Sequence, residues 1–289
     1  MNISVVIPTY NRQTLLQHTL ESLCRQTLDK EAFEVIVVDD GGTDQSAALC
    51  QSFEHRLNIR YFWQTDAGFR PAKARNVGIV AAEGEVILML DSGIILSQQG
   101  LARHVQRHQS AELNKVVIGY VYGFKADQQA LTTVIESVSS EDVDASVQVM
   151  QQAGLFDSRQ WQYDELGKNL AMWPAPFDIF WTAHVSAKRS ELIRAGLFDE
   201  SFTSWGGEDV DLGIRLFHNN NKYELADDIC AIHWPHFEQS GSSETENEAA
   251  INAVIKINQK YQSWQTSYYM KTLGEPLYSL NKVVRVLGK

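Results

Sequence analysis

Three cysteines in 289 residues are too few and too widely spaced for a disulfide framework or a zinc site. Cys24, Cys50 and Cys230 are odd in number and lie in stretches that read as buried, so free thiols in a reducing compartment are expected. Excess positive charge is also missing. The formal net charge is -11 and no lysine and arginine cluster is visible, which argues against a nucleic-acid partner, because neutralising phosphates needs a basic face. A nucleotide ligand, which needs only a few local donors, stays compatible. No uncharged apolar run approaches a membrane span, and the chain enters an apolar strand at once, without a basic leader or a cleavage site. A soluble, cytoplasmic protein with no transmembrane segment is expected, peripheral attachment to a membrane surface being left open. Glycine is absent from the loop after the first strand, Pro8-Thr9-Tyr10-Asn11-Arg12, so neither a dinucleotide fingerprint nor a phosphate loop is present. Internal repeats and low-complexity segments are lacking too.

What is present is a series of short apolar strands with acids at their ends. Residues 85–93, Glu-Val-Ile-Leu-Met-Leu-Asp-Ser-Gly, hold five consecutive large apolar residues between Gly84 and Gly93. The run is short for a helix and flanked by turn formers, which fits a central parallel strand covered on both faces. It delivers Asp91 to the carboxyl end of the strand, where open α/β sheets bind ligands. Asp-Ser-Gly is equally an ordinary bend, and this stretch alone leaves Asp91 as either a site carboxylate or a turn residue.

Strands at 3–7, 33–38 and 59–63 alternate with helices from about Thr14, over 43–53 and over 71–82. Asp39 and Asp40 again stand at a strand's carboxyl end, and Pro71 opens a helix, where its missing N–H is harmless. This alternation predicts an α/β protein with a Rossmann-like, doubly wound, mostly parallel sheet flanked by helices. The second half is less regular. A strand is expected at 116–122, a helix over 132–152, and an ordered loop or lid over the aromatic stretch 161–181, which contains Pro174 and Pro176. Short helices are expected at 188–195 and 210–218, short strands at 223–226 and 229–233, and a last helix at 248–261. A polar linker near residue 240 separates the main domain, 1–240, from a helical C-terminal extension, 241–289.

Trp205-Gly206-Gly207-Glu208-Asp209-Val210-Asp211 is the most specific local signal. Two glycines permit a turn that a side chain would obstruct, and the acids after them fall at the start of the following helix. The acids complement the helix dipole, which alone would account for them. Three acids in four residues behind a tryptophan suited to stacking on a sugar ring also suit a general base that takes a proton from an attacking hydroxyl.

The first-strand loop, Val37-Val38-Asp39-Asp40-Gly-Gly-Thr-Asp44, Ala74-Arg75-Asn76-Val77-Gly78, Leu90-Asp91-Ser92 and Trp205-Gly-Gly-Glu-Asp209 together resemble an inverting family 2 glycosyltransferase of GT-A fold. With Gly68-Phe69-Arg70 and Ala72-Lys73, the last motif resembles the branch shared by β-1,4-galactosyltransferases, polypeptide N-acetylgalactosaminyltransferases and chondroitin-type polymerases. The resemblance spans about residues 3–236. It implies a nucleotide-binding half, about 1–110, and an acceptor half, about 111–240. A nucleotide-sugar donor, UDP-linked, and a saccharide, peptide or small-molecule acceptor are implied as partners, with acceptor specificity expected in 123–176.

Carried over position by position, the resemblance assigns Thr9 and Asp40 to the nucleotide base, places Arg12 and Lys73 in stretches that resemble its phosphate and ribose contacts, and puts Arg75 close to the nucleotide. Asp91 matches the first acid of the Asp-X-Asp motif, Asp209 the catalytic base and Glu208 the residue that orients the acceptor hydroxyl. Trp205 and Trp181 are candidates for a carbohydrate platform. His233 or His236 would complete a Mn²⁺ or Mg²⁺ site with Asp91. One position departs: the second acid of Asp-X-Asp is Gly93, which has no side chain to coordinate a metal. Three outcomes follow from it: a metal held by Asp91 with a histidine, a diphosphate neutralised by Arg12, Lys73 or Arg75, or a non-catalytic sugar-nucleotide-binding subunit of a larger assembly.

Overall fold

Val86–Leu90 is buried at every position because helices cover both faces of its sheet. The computed structural model describes residues 1–109, 114–124, 128–235, 243–271 and 281. Its elements in chain order are β1 Ile3–Thr9, α1 Gln13–Leu23, β2 Phe33–Asp39, α2 Ser46–Phe53, β3 Ile59–Trp63, α3 Pro71–Ala81, β4 Val86–Leu90 and β5 Ile94–Leu96. There follow α4 Gly100–His108, β6 Lys115–Tyr122, α5 Gln128–Thr132, α6 Val143–Gln152, α7 Gln160–Leu166, β7 His184–Lys188 and α8 Arg189–Arg194. Last come α9 Glu208–His218, β8 Lys222–His233, α10 Ser243–Tyr261 and α11 Trp264–Lys271.

The strands form one eight-stranded sheet in the order β3-β2-β1-β4-β7-β6-β8-β5. β1 runs parallel to β2 and β4, and β2 parallel to β3, so Thr9, Asp39 and Asp91 emerge at one edge, beyond the strands' carboxyl ends. Leu16, Leu20, Cys50 and Phe53 of α1 and α2 fill one face, and Ala72, Ile79, Leu212 and Ile257 of α3, α9 and α10 the other. Only the Asp91-Ser92-Gly93 turn separates β4 from β5. That turn is fixed from three sides: Ser92 Oγ donates to Pro8 O at 2.9 Å, Gly93 N to Thr19 Oγ1 at 2.9 Å and Ile94 N to Asp91 O at 3.0 Å. Gly93 has φ +97°, a conformation that disfavours any side chain, so the residue that departs from Asp-X-Asp is one its backbone requires. Among the described residues, no helix is long and apolar enough to cross a membrane.

Several expectations require correction. Residues 132–152 are not one helix: Asp142 accepts a hydrogen bond from Ala145 N at 3.0 Å and starts α6 afresh, so the apolar spacing belongs to separate turns. Residues 161–181 are not a lid. They contain most of α7 and two 3₁₀ turns, and Trp173, Phe177, Ile179 and Phe180 are core residues. The short strands at 223–226 and 229–233 are one strand, β8, with an irregularity where Gly119 pairs Ala226 and Tyr120 pairs Cys230.

β7 and α4 went unpredicted for a common reason, a polar seam inside the core. His104 and His184 meet Nε2 to Nε2 at 2.9 Å, and Ser186 Oγ lies 2.9 Å from His104 Nδ1 and 2.8 Å from His108 Nε2. Burial lowers all three imidazoles, His108 to about 4 and His184 to about 3, with Lys188 and Arg159 respectively adding to it. A histidine lowered on folding contributes stability above its unfolded value of about 6.5, and that contribution is lost as pH falls toward the folded value. His108→Gln keeps a hydrogen bond to Ser186 without titrating. It is therefore expected to be less stable than the natural chain at pH 8 and to regain about 2 kcal/mol relative to it by pH 5, read from urea unfolding at both values.

Candidate active site

Arg75 is the centre of the site. It projects from α3, is 5% exposed, and faces three acids from distant parts of the chain. Its Nη2 donates to Asp91 Oδ1 at 2.9 Å and its Nη1 to Glu208 Oε1 at 3.3 Å, while Asp209 Oδ1 lies 3.9 Å from Nη1. Burial opposes the charged guanidinium, yet Asp91, Asp209 and Glu208 together hold its pKa above the ordinary arginine value. One cation cannot neutralise three carboxylates, so the most enclosed acid keeps its proton. Burial and then the neighbouring Asp209 push Glu208 up to about 8, Arg75 pulling the other way. Its Oε2 is buried without a hydrogen-bond partner.

Asp209 is raised by burial, with Arg75 opposing and Asp91 reinforcing. Thr182 fixes it in place, donating from N at 3.1 Å to Oδ2 and from Oγ1 at 2.9 Å to Oδ1. Gly207, at φ +94°, makes the turn that brings Glu208 and Asp209 to the first turn of α9, where the helix dipole favours their charge. A carboxylate held in this way, raised above its ordinary value and with its side chain still 21% exposed, suits proton abstraction.

The residues expected to meet a nucleotide base are assembled at the ends of β1 and β2. Asp40 N donates to Thr9 O at 2.9 Å, and Asp40 accepts from Arg70 N at 2.8 Å, Arg70 Nη2 at 2.9 Å and Gln64 Nε2 at 2.5 Å. Thr9 Oγ1 and Gln64 Oε1 are buried and lack hydrogen-bond partners. Tyr10, Trp63 and Phe69 are exposed nearby, at 47%, 54% and 49%, and Tyr10 OH donates to Asp66 Oδ2 at 3.2 Å. Arg12 precedes α1 on the surface and Lys73 lies half-buried on α3.

Asp91 is 37% exposed at its side chain. His233 ends β8 opposite Ile94, and Trp234 N donates to Gly93 O at 2.7 Å, so the strand end carrying His233 runs beside the Asp91 turn. His236 lies outside the described residues. No group of three histidine, cysteine, aspartate or glutamate side chains able to hold a metal occurs among the described residues. The donor set offered is one carboxylate and one imidazole, which suits a divalent ion only when the diphosphate supplies further oxygens.

Trp205 is 44% exposed on the turn before α9. Trp181 is half-buried: its Nε1 donates to Asp178 O at 3.2 Å, the Arg159 guanidinium lies 5.0 Å from its ring centre and the Phe124 ring 5.7 Å away. Arg159 is itself locked to Asp157 at 2.6 Å. Sequence reasoning missed Arg70, Thr182, Phe124 and Arg159. Only Arg70 left a trace, in Gly68-Phe69-Arg70; the others come from segments whose contacts depend on the tertiary fold.

An acid at a parallel strand's end is thus joined by a buried arginine to an acidic pair at a helix start, on a fold shared with GT-A glycosyltransferases. The family model described as glycosyl transferase family 2 matches residues 4–181, and the chain belongs to that family. It is 37% identical over 256 residues to a validoxylamine A glucosyltransferase of Streptomyces hygroscopicus subsp. limoneus, covering 88% of this chain and 54% of that protein. The hyaluronan synthase of Pasteurella multocida is 30% identical over 266 residues, covering 89% of this chain and 27% of that one. The chain thus spans about half or less of these relatives. Among solved structures, Staphylococcus aureus TarS 1-349 in complex with UDP-GlcNAc aligns over 98% of this chain and 74% of its own, with TM-score 0.61 and 20% identity. The mannosyltransferase PcManGT from Pyrobaculum calidifontis, in complex with GDP-Man and Mn²⁺, aligns over 100% and 88% with TM-score 0.57 and 16% identity.

Proposed function

We propose that the protein transfers a sugar from a UDP-linked donor to an acceptor hydroxyl, with inversion at the anomeric carbon. The observation carrying this reading is the meeting of Asp209 and Glu208, from the helix after the Gly-Gly turn, with Asp91, from the central strand end, on the one guanidinium of Arg75. Thr9 Oγ1 and Gln64 Oε1, unpartnered beside Asp40, suit the alternating N–H and C=O edge of a uracil base. The relatives include a validoxylamine A glucosyltransferase, a hyaluronan synthase and a chondroitin synthase, and a structural neighbour binds UDP-GlcNAc, which supports a UDP donor and an acceptor rich in hydroxyls.

In the reaction, Asp209 takes the acceptor hydroxyl proton as the oxygen bonds to the anomeric carbon. The bond from that carbon to the β-phosphate oxygen breaks, and its electron pair leaves with UDP. Protonated Glu208 donates toward the acceptor, and Trp205 offers a stacking face for its ring. Thr182 keeps Asp209 oriented and Arg75 moderates its proton affinity. Three acids against one arginine leave the pocket negative, so a diphosphate arriving there needs further positive charge. A divalent ion on Asp91 and His233, or His236, would supply that charge to the leaving group; otherwise Arg12 and Lys73 carry it.

Calorimetric titration of UDP tests this. Binding is expected with Mn²⁺, and is expected to be lost in EDTA and in Asp91→Ala. UDP release from UDP-glucose or UDP-GlcNAc is expected to accelerate with one of validoxylamine A, hyaluronan or chondroitin oligosaccharides, or poly(ribitol phosphate). Binding indifferent to EDTA would move the charge stabilisation to Arg12 and Lys73. Tight UDP-sugar binding without release to any acceptor or to water would identify a non-catalytic binding subunit and refute the transferase reading.

A further inference from the structure

Helices α10 and α11 hold both turns that carry the acceptor-side residues. At the first, a Cβ on Gly207 would stand 2.6 Å from Ala253 Cβ of α10 and 2.9 Å from Phe202 Cε1, so helix and turn are in direct apposition. Lys256 Nζ lies 3.9 Å from the Phe202 ring centre and donates to Ser201 O at 2.5 Å. Lys260 Nζ lies 2.8 Å from Asp199 Oδ2 and 2.7 Å from Asp211 Oδ1. Asp199 and Asp211 bracket the turn that bears Trp205, Gly206, Gly207, Glu208 and Asp209, so one ammonium ties its two ends. At the second turn, Tyr269 of α11 donates from its hydroxyl to Asp178 Oδ1 at 2.7 Å. Asn281 pairs with the backbone of Ala175, accepting from its N at 2.9 Å and donating to its O at 3.0 Å. These contacts fix the segment that runs into Trp181 and Thr182, the latter the partner of Asp209.

A helix that merely covered apolar surface would need only the buried Val254 and Ile257. Here Asp211 is fully enclosed and is met by Arg215 at 2.6 Å, Lys260 at 2.7 Å and the Tyr261 hydroxyl at 2.8 Å. Enclosing such a group is costly unless every partner is held in place, so the ensemble defines one geometry more sharply than apolar packing does. Asp211 lies on the turn of α9 that also carries Asp209. A shift of α10 is therefore transmitted to the base.

We infer that α10 and α11 form a brace that sets the catalytic geometry, with Ala253, Lys260 and Tyr269 as positioning residues. The inference rests on the transferase reading of Asp209. It predicts that disturbing the brace lowers kcat while the nucleotide half, built from β1 to β4, keeps its affinity for UDP.

The test uses the full chain and UDP-glucose and UDP-GlcNAc as probes, with the rate of UDP release, the KM for donor and the calorimetric affinity for UDP measured on each variant. Ala253→Leu, which intrudes on Gly207, is expected to lower kcat about a hundredfold, and Lys260→Met and Tyr269→Phe about tenfold, with UDP affinity held within about twofold. Lys260→Arg, which keeps the charge, is expected to recover most of the rate. Ile251→Phe, on the exposed side of α10, serves as a control expected to match the natural chain. If Ala253→Leu does not fold, as judged by circular dichroism, Lys260→Met and Tyr269→Phe decide the question. An unchanged kcat in folded brace variants, or a kcat and UDP affinity that fall in parallel, would overturn the inference while loss of release in Asp209→Asn kept the transferase reading intact. Full-rate release by Asp209→Asn would remove that reading and this inference together.

Discussion

Asp209→Asn is expected to fold, to bind UDP like the natural chain, and to turn over roughly 10²–10⁴ times more slowly, the contribution usual for a positioned general base. The substitution is close to isosteric: asparagine Oδ1 can accept from Thr182 N, and its amide can donate to Thr182 Oγ1, in place of the contacts at 3.1 and 2.9 Å. What it loses is proton affinity. The loss therefore falls on kcat, and its pH dependence identifies the cause. In the natural chain kcat/KM is expected to rise with pH as Asp209, raised above its ordinary value by burial, gives up its proton. Glu208 keeps its own proton until about pH 8, so a falling limb is expected above that value if its hydrogen is donated to the acceptor. Glu208→Gln imitates the protonated acid. It is expected to retain activity within about tenfold and to lose the alkaline limb, whereas Asp209→Asn loses the acidic one. An acidic limb surviving unchanged in Asp209→Asn would assign the base elsewhere.

The strand ends were legible because the carboxyl-terminal stretches Val35–Val38 of β2 and Val86–Leu90 of β4 are unbroken apolar runs, so the acid at the end of each marks a boundary and a candidate ligand edge together. Asp39, Asp40 and Asp91 all conform to this. The glycine pair before Glu208 was legible for a similar reason, since the turn at Gly206 and Gly207 uses positive φ at both. Arg75 carried no such mark as the centre of the cluster. It sits in an ordinary helix, 133 residues from Glu208, and its role arises only when α3 and α9 pack on the same face of the sheet. His104, His184 and Ser186 were illegible for the opposite reason: polar residues read as surface, yet these hydrogen-bond one another in the core and conceal a strand and a helix from any hydrophobic pattern. The brace on α9 was hidden likewise, because Lys260 and Asp211 look solvated until the helices dock.

Arg75→Met is expected to be the most damaging substitution in the chain. It leaves Asp91, Glu208 and Asp209 facing one another without a cation, and removing one partner of a buried ionic cluster costs about 3–5 kcal/mol. The acids respond by taking up protons. Because Arg75 is what lowers Asp209 against its burial, its removal carries Asp209 further above its ordinary value, so the base is neutralised in the pH range where the natural chain works. Arg75→Lys keeps the charge but cannot serve Asp91 and Glu208 from two nitrogens of one rigid fork, so an intermediate loss is expected. The double substitution Arg75→Met with Glu208→Gln separates the two effects. It removes one acid along with the cation, and is expected to recover part of the stability lost, read as the urea midpoint, while UDP release stays at the level of Arg75→Met. Recovery of both would mean that the arginine only balances charge. Recovery of stability alone would mean that Arg75 also sets the proton affinity of Asp209, the role that its position between the strand-end acid and the helix-start pair supports.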